Sequence, residues 1–203
     1  MTGMKYSFVL LLCALPLCGG PLSFGIKGGV PVTAGLGGND GYGVDGRRWT
    51  AGATVEFNLP ASLSVGVDAL YRRFSFDDTT AFGFRAAADI GHLEFPVFAK
   101  YRFGSIVPPY VARPFVEGGF AFDRAHTAGT SQCFGSAPIC PSPAPTTLSS
   151  SQWGAGFLVG GGIEIKAAFL KIAPEVRYTR WQKGLFYDYQ ERNQLEILVG
   201  VRF

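Results

Sequence analysis

The chain is 203 residues long, 47% hydrophobic and only 16% charged, with a formal net charge of +3. That length accommodates one domain, and a small charge spread along the chain without a basic block gives no support to nucleic-acid binding. The 28 glycines and the 14% aromatic content suit strands and tight turns, because glycine weakens helix interiors.

Residues 1–23 differ from the rest. Lys5 is their only charge, and an apolar run from Phe8 to Leu17 precedes Cys18-Gly-Gly-Pro-Leu-Ser23. This is the pattern of a secretory signal peptide, since the apolar run is about half of the roughly 20 residues that a membrane-spanning helix needs. Cleavage is expected between Gly20 and Gly25, leaving a domain over 24–203. Cys18 invites a lipoprotein reading, but Leu17 stands where that signal needs a small residue.

Beyond the leader, period-two alternation of apolar and polar residues recurs and no helical period is sustained. Strands are expected over residues 24–33, 49–59, 63–76, 92–103, 114–124, 153–166, 170–179 and 193–203. The last shows the pattern best: Leu195, Ile197, Val199, Val201 and Phe203 share one face, against Gln194, Glu196, Leu198, Gly200 and Arg202. Connections alternate long and short. Residues 35–48, 77–91, 125–152 and 182–192 form long loops, whereas 60–62 and 167–169 are tight turns and 104–113 is intermediate. Outer-membrane barrels have short periplasmic turns and longer outer loops, so both termini are expected on the periplasmic side. The fold class is all-β: an eight-stranded antiparallel up-and-down transmembrane β-barrel.

In such a barrel the faces specialise. Val65, Val67, Phe95, Val97, Ile163, Ile172, Val176 and Val199 are expected to meet lipid. Trp49, Tyr71, Tyr101, Phe103, Trp153, Tyr178 and Phe203 fall near the margins, where aromatic girdles lie. The inward set is Lys27, Glu56, Asp68, Arg72, Glu94, Lys100, Arg102, Glu117, Glu164, Glu175, Arg177, Glu196 and Arg202, with the two signs nearly matched. An eight-stranded lumen is only wide enough for side chains to fill, which favours a salt-bridge network over the alternative, a gated ion path.

Removal of the leader takes Cys13 and Cys18 and leaves Cys133 and Cys140, a candidate disulfide in an exported protein. It closes a small loop in a Pro- and Ser-rich stretch, worth about 2 to 3 kcal/mol. Two cysteines with an isolated His126 are too few ligands for zinc, and no cofactor motif is present.

Several stretches carry a family resemblance. Phe24-Gly-Ile-Lys-Gly-Gly-Val-Pro31, Leu63-Ser-Val-Gly-Val-Asp-Ala-Leu-Tyr-Arg-Arg73, Phe95-Pro-Val-Phe-Ala-Lys-Tyr-Arg-Phe103, Arg113-Pro-Phe-Val-Glu-Gly-Gly119 and Ile172-Ala-Pro-Glu-Val-Arg-Tyr-Thr-Arg-Trp181 resemble strands of the small outer-membrane β-barrel proteins of Gram-negative bacteria. The ending at Phe203 resembles the signal read by barrel-assembly machinery. The resemblance implies an outer-membrane location, contact with outer-membrane lipid and assembly by that machinery. It implies no activity, because the architecture hosts passive barrels, adhesins and a few enzymes.

Three functions compete. A structural or surface-interaction role rests on the loops, above all 125–152, as the place for a surface ligand. A narrow pore rests on the inward charges. A lipid-modifying enzyme needs a rim histidine, and His92, at the outer start of the fourth strand on the same face as Glu94, is the nearest candidate, read more simply as a hydrogen-bonded rim residue. No catalytic residue is assigned. The alternative fold is a soluble lipocalin-like barrel with its apolar face inward.

Overall fold

The computed structural model describes residues 21–33, 49–79, 84–105, 112–133, 146–167, 169–182 and 192–203. Its strands, in chain order, are β1 (Leu22–Pro31), β2 (Trp49–Asn58), β3 (Leu63–Thr79), β4 (Phe84–Arg102), β5 (Ala112–Cys133), β6 (Thr146–Ala167), β7 (Leu170–Trp181) and β8 (Asn193–Arg202). Each pairs antiparallel with its sequence neighbours, and β8 pairs with β1 to close the barrel. The closing seam runs from Gly25 opposite Arg202 to Pro31 opposite Glu196, and the Phe203 amide donates to the Phe24 carbonyl at 2.9 Å. Closure satisfies the edges that an open sheet would expose. Among the described residues no helix is long and apolar enough to cross a membrane, a statement that does not bear on crossing by strands.

The faces follow residue parity. Val65, Val67, Val97, Ile163, Val176, Ile197 and Val199 are exposed on the outside, while Lys27, Glu56, Asp68, Arg177 and Glu196 are buried within. Exposed valines around buried arginines are the arrangement of a transmembrane barrel and the inverse of a lipocalin-like one. Exposed Trp49, Tyr71 and Trp153 lie toward one end of the apolar band, and Tyr101, Phe103, Phe169 and Phe203 toward the other. From Trp153 to Ile163 is roughly 33 Å of strand, which a tilt of about 40° reduces to roughly 25 Å of height, the thickness of such a band.

Several sequence boundaries need correction. β1 begins at Leu22, two residues before Phe24, because Leu22 opposes Phe57 and Ser23 opposes Glu56 in the β1–β2 register. The loop expected over 77–91 is mostly strand, with β3 reaching Thr79 and β4 starting at Phe84. The loop expected over 125–152 likewise shrinks, since β5 continues to Cys133 and β6 begins at Thr146. These extensions read Thr-Ala-Gly-Thr-Ser-Gln on β5 and Thr-Thr-Leu-Ser-Ser-Ser on β6. They rise past the apolar band, so neither face must be apolar. Alternation therefore fades while the backbone ladder persists.

At the opposite end, β2 turns into β3 through Pro60, Ala61 and Ser62. Ala61 and Ser62 have φ of 61° and 64°, and the Leu59 amide donates to the Leu63 carbonyl at 2.9 Å. Two non-glycine residues in the left-handed region mark a tight, mildly strained turn.

Candidate functional site

Among the described residues the lumen gathers the chemistry-bearing side chains, and each arrives there by strand parity. All thirteen inward candidates, from Lys27 to Arg202, are buried. Toward the end that carries the termini, Arg202 pairs with both Glu56 and Glu164, and Arg102 reaches the same two carboxylates, with Arg102 Nε donating to Glu164 Oε2 at 3.0 Å. At mid-height, Lys27 Nζ donates to Asp68 Oδ2 and Glu175 Oε1, both at 2.9 Å. Arg177 contacts Asp68, Glu117 and Glu175 at 2.8, 3.0 and 3.1 Å. Lys100 Nζ sits 2.8 Å from Glu56 and 3.3 Å from Glu117, which links this level to the one below.

Toward the other end, Arg72 donates to Glu94 at 2.6 Å and to Glu196 at 2.8 Å, and the Thr50 hydroxyl donates to Glu196 at 3.0 Å. Beside them His92 Nδ1 lies 2.9 Å from Asp123 Oδ2. Burying ions in this way carries a large desolvation cost, offset when every charge has opposite-sign partners. The sharing of carboxylates, three cations on Glu56 and two on Asp68, together with the Lys100–Glu117, Arg177–Glu117 and Arg202–Glu164 pairs, ties all eight strands into one network.

Aromatic and aliphatic side chains fill what the charges leave. The Phe98 ring has Lys27, Lys100 and Arg177 at 5.1, 5.1 and 5.4 Å from its centroid, so its electron-rich faces add to the attraction of three cations. Gly66 makes this possible, since a Cβ there would stand 2.5 Å from the Phe98 ring. Phe98 also packs with Ala121, Leu158 and Trp181, and Trp181 Nε1 donates to Gln194 at 2.9 Å. Leu70, Phe98, Phe115, Leu158, Trp181 and Leu198 are each at most 2% exposed. They lie inside the barrel among the paired ions.

Two expectations change here. His92 is not a rim residue: it is wholly buried, because β4 continues eight residues beyond it to Phe84. Its partner Asp123 was missing from the inward set, although the parity of Glu117 along β5 carries directly to Asp123. Phe98 and Trp181 were equally legible, sharing parity with Lys100 and Arg177. His126 is exposed on the outer face of β5. Cys133 ends β5 opposite Phe84, but Cys140 lies outside the described residues, as do residues 1–20 of the leader expected over 1–23. Among the described residues no three His, Cys, Asp or Glu side chains are grouped to hold a metal ion.

No protein-family model matches the sequence, and the comparison with curated proteins gives no match. Among solved structures, the chain is similar to the N-terminal β-barrel domain of Pseudomonas aeruginosa OprF, at 13% identity over 91% of this chain and 97% of that one, with a TM-score of 0.48. It is similar to Neisserial surface protein A at 13% identity over 89% and 94%, with a TM-score of 0.48. Ail, the attachment invasion locus protein of Yersinia pestis, is 12% identical over 90% and 96%, with a TM-score of 0.44.

Proposed function

We propose that the protein is an integral outer-membrane barrel with a closed lumen, which stiffens the fold, and that it acts through what its outer strand ends present at the cell surface. The observation that carries this reading is the inversion of the faces: exposed Val65, Val97, Ile163 and Val199 surround buried Arg72, Arg177 and Arg202. Water would penalise that exterior and a lipid-filled interior would penalise those charges. Membrane fractionation followed by gel migration with and without heating tests it. Recovery in the outer-membrane fraction with a heat-dependent mobility shift is expected, and recovery as a soluble protein would reject it.

The packed lumen favours structure over conduction, because six large apolar or aromatic side chains lie across it among paired ions. Planar bilayers loaded with the protein are expected to stay silent, and discrete channels abolished by Glu196→Gln would reverse that judgement. The enzyme reading loses its nearest candidate base, since His92 is buried against Asp123. Mass spectrometry of lipid A from cells with and without the protein is expected to show one acyl pattern. A surface ligand is placed at the extended ends of β5 and β6, within 125–152. Deleting residues 128–149 is expected to leave a folded barrel and to remove attachment.

A further inference from the structure

At the end of the lumen that carries the chain termini, the balance of charge changes. Deeper inside, Lys27, Arg72, Lys100 and Arg177 face Asp68, Glu94, Glu117, Asp123, Glu175 and Glu196, an excess of carboxylates. At the mouth, five consecutive strands each contribute one inward cation: Arg102 from β4, Arg113 from β5, Lys166 from β6, Lys171 from β7 and Arg202 from β8. Glu56 and Glu164 are the carboxylates that pair with Arg102 and Arg202 there, and Lys100 draws on Glu56 from above.

The register makes the crowding specific. Lys166 is directly opposite Lys171, and Lys171 is directly opposite Arg202. Three cations therefore stand in one cross-strand row, with neighbouring Cβ atoms about 5 Å apart, an arrangement that is destabilising unless something neutralises it. Arg202 has its two carboxylates. Among the described residues neither lysine has a carboxylate within the 4.0 Å of an ion pair, although Lys171 is half-buried and Lys166 is exposed. The row itself holds two ammonium groups and a guanidinium and no carboxylate.

We propose that this mouth is a binding site for a phosphate-bearing anion, held between Lys166 and Lys171 with Arg202 flanking it. A phosphate group suits the site because its several oxygens accept from two ammonium groups and a guanidinium together. The phosphate is that of a free anion or of a lipid headgroup at the barrel rim, where Phe169 projects 76% exposed beside the β6–β7 turn. The site stands whether or not this end faces the periplasm.

The test uses protein purified from membranes in a neutral sugar-headgroup detergent, its fold verified by heat-dependent gel mobility. Inorganic pyrophosphate is titrated by calorimetry at constant ionic strength, and phosphatidylglycerol retained from mixed micelles is counted by native mass spectrometry. Saturable pyrophosphate binding, weakened roughly tenfold by Lys166→Gln or Lys171→Gln and kept by Lys171→Arg, identifies a free phosphate. Lipid retention with the same sensitivity, and no pyrophosphate binding, identifies a headgroup. The Gln variants are expected to melt at or above the wild-type temperature without anion, since they relieve repulsion within the row. Absence of both kinds of binding, or binding indifferent to the two Gln variants, overturns the proposal.

Discussion

β3 to β6 run for 17 to 22 residues, whereas β1, β2, β7 and β8 stop at 10 to 12, although all eight cross the same apolar band. A tilted strand needs about 9 to 11 residues to cross, so the short strands are little more than the crossing itself. The long ones carry a further wall beyond it. Within the band each residue answers to one of two demands, lipid outside or packed charge inside. In the extension above it, the backbone ladder continues without a matching alternation in the sequence. The same pairing geometry is thus held by two different balances: side-chain selection in the body, and main-chain hydrogen bonding with permissive Thr, Ser, Ala and Gly in the extension.

The contrast is broken most severely from inside the body. Arg177→Ala removes the cation that contacts all three of Asp68, Glu117 and Glu175, and removal of one partner from a buried ion network costs about 3 to 5 kcal/mol. A lower midpoint in urea unfolding from lipid vesicles is the expected readout, with Arg177→Lys recovering part of the loss. On the outer face, Val67→Arg places a charge in the apolar band and is expected to cost about 2 to 4 kcal/mol. Its counterpart, Ala128→Arg on the extension of β5, is expected to change stability by less than about 0.5 kcal/mol. Equal costs at the two positions would show that the membrane reaches the extension. A small effect of opposite sign is expected at the β2–β3 turn, where Ala61→Gly relieves a φ of 61° and raises stability by at most about 1 kcal/mol, less the entropy that glycine loses on folding.

The same contrast explains how legible each part was. The strand count, the inward set and the apolar band could be read along the chain because alternation is enforced wherever lipid and packed charge lie on opposite sides of one strand. Lys27, Asp68, Arg177 and Glu196 were each placed by parity alone. Periodicity alone puts the start of the fourth strand at His92, because residues 84–91, Phe-Arg-Ala-Ala-Ala-Asp-Ile-Gly, carry no clean alternation. Asp123 is legible by the same parity as Glu117, at the far end of its strand.

The sequence by itself determined that the chain folds as eight antiparallel strands with an apolar outside and a charged inside, since hydropathy with period two specifies faces locally. It also determined which residues enter the lumen. Only the tertiary structure decided how they pair: which cations share Glu56, that Phe98 stands among Lys27, Lys100 and Arg177, and that Lys166, Lys171 and Arg202 form one row. Parity assigns a side, but partnership depends on the stagger between strands far apart in the chain and on the closure of β8 against β1, which no local pattern encodes.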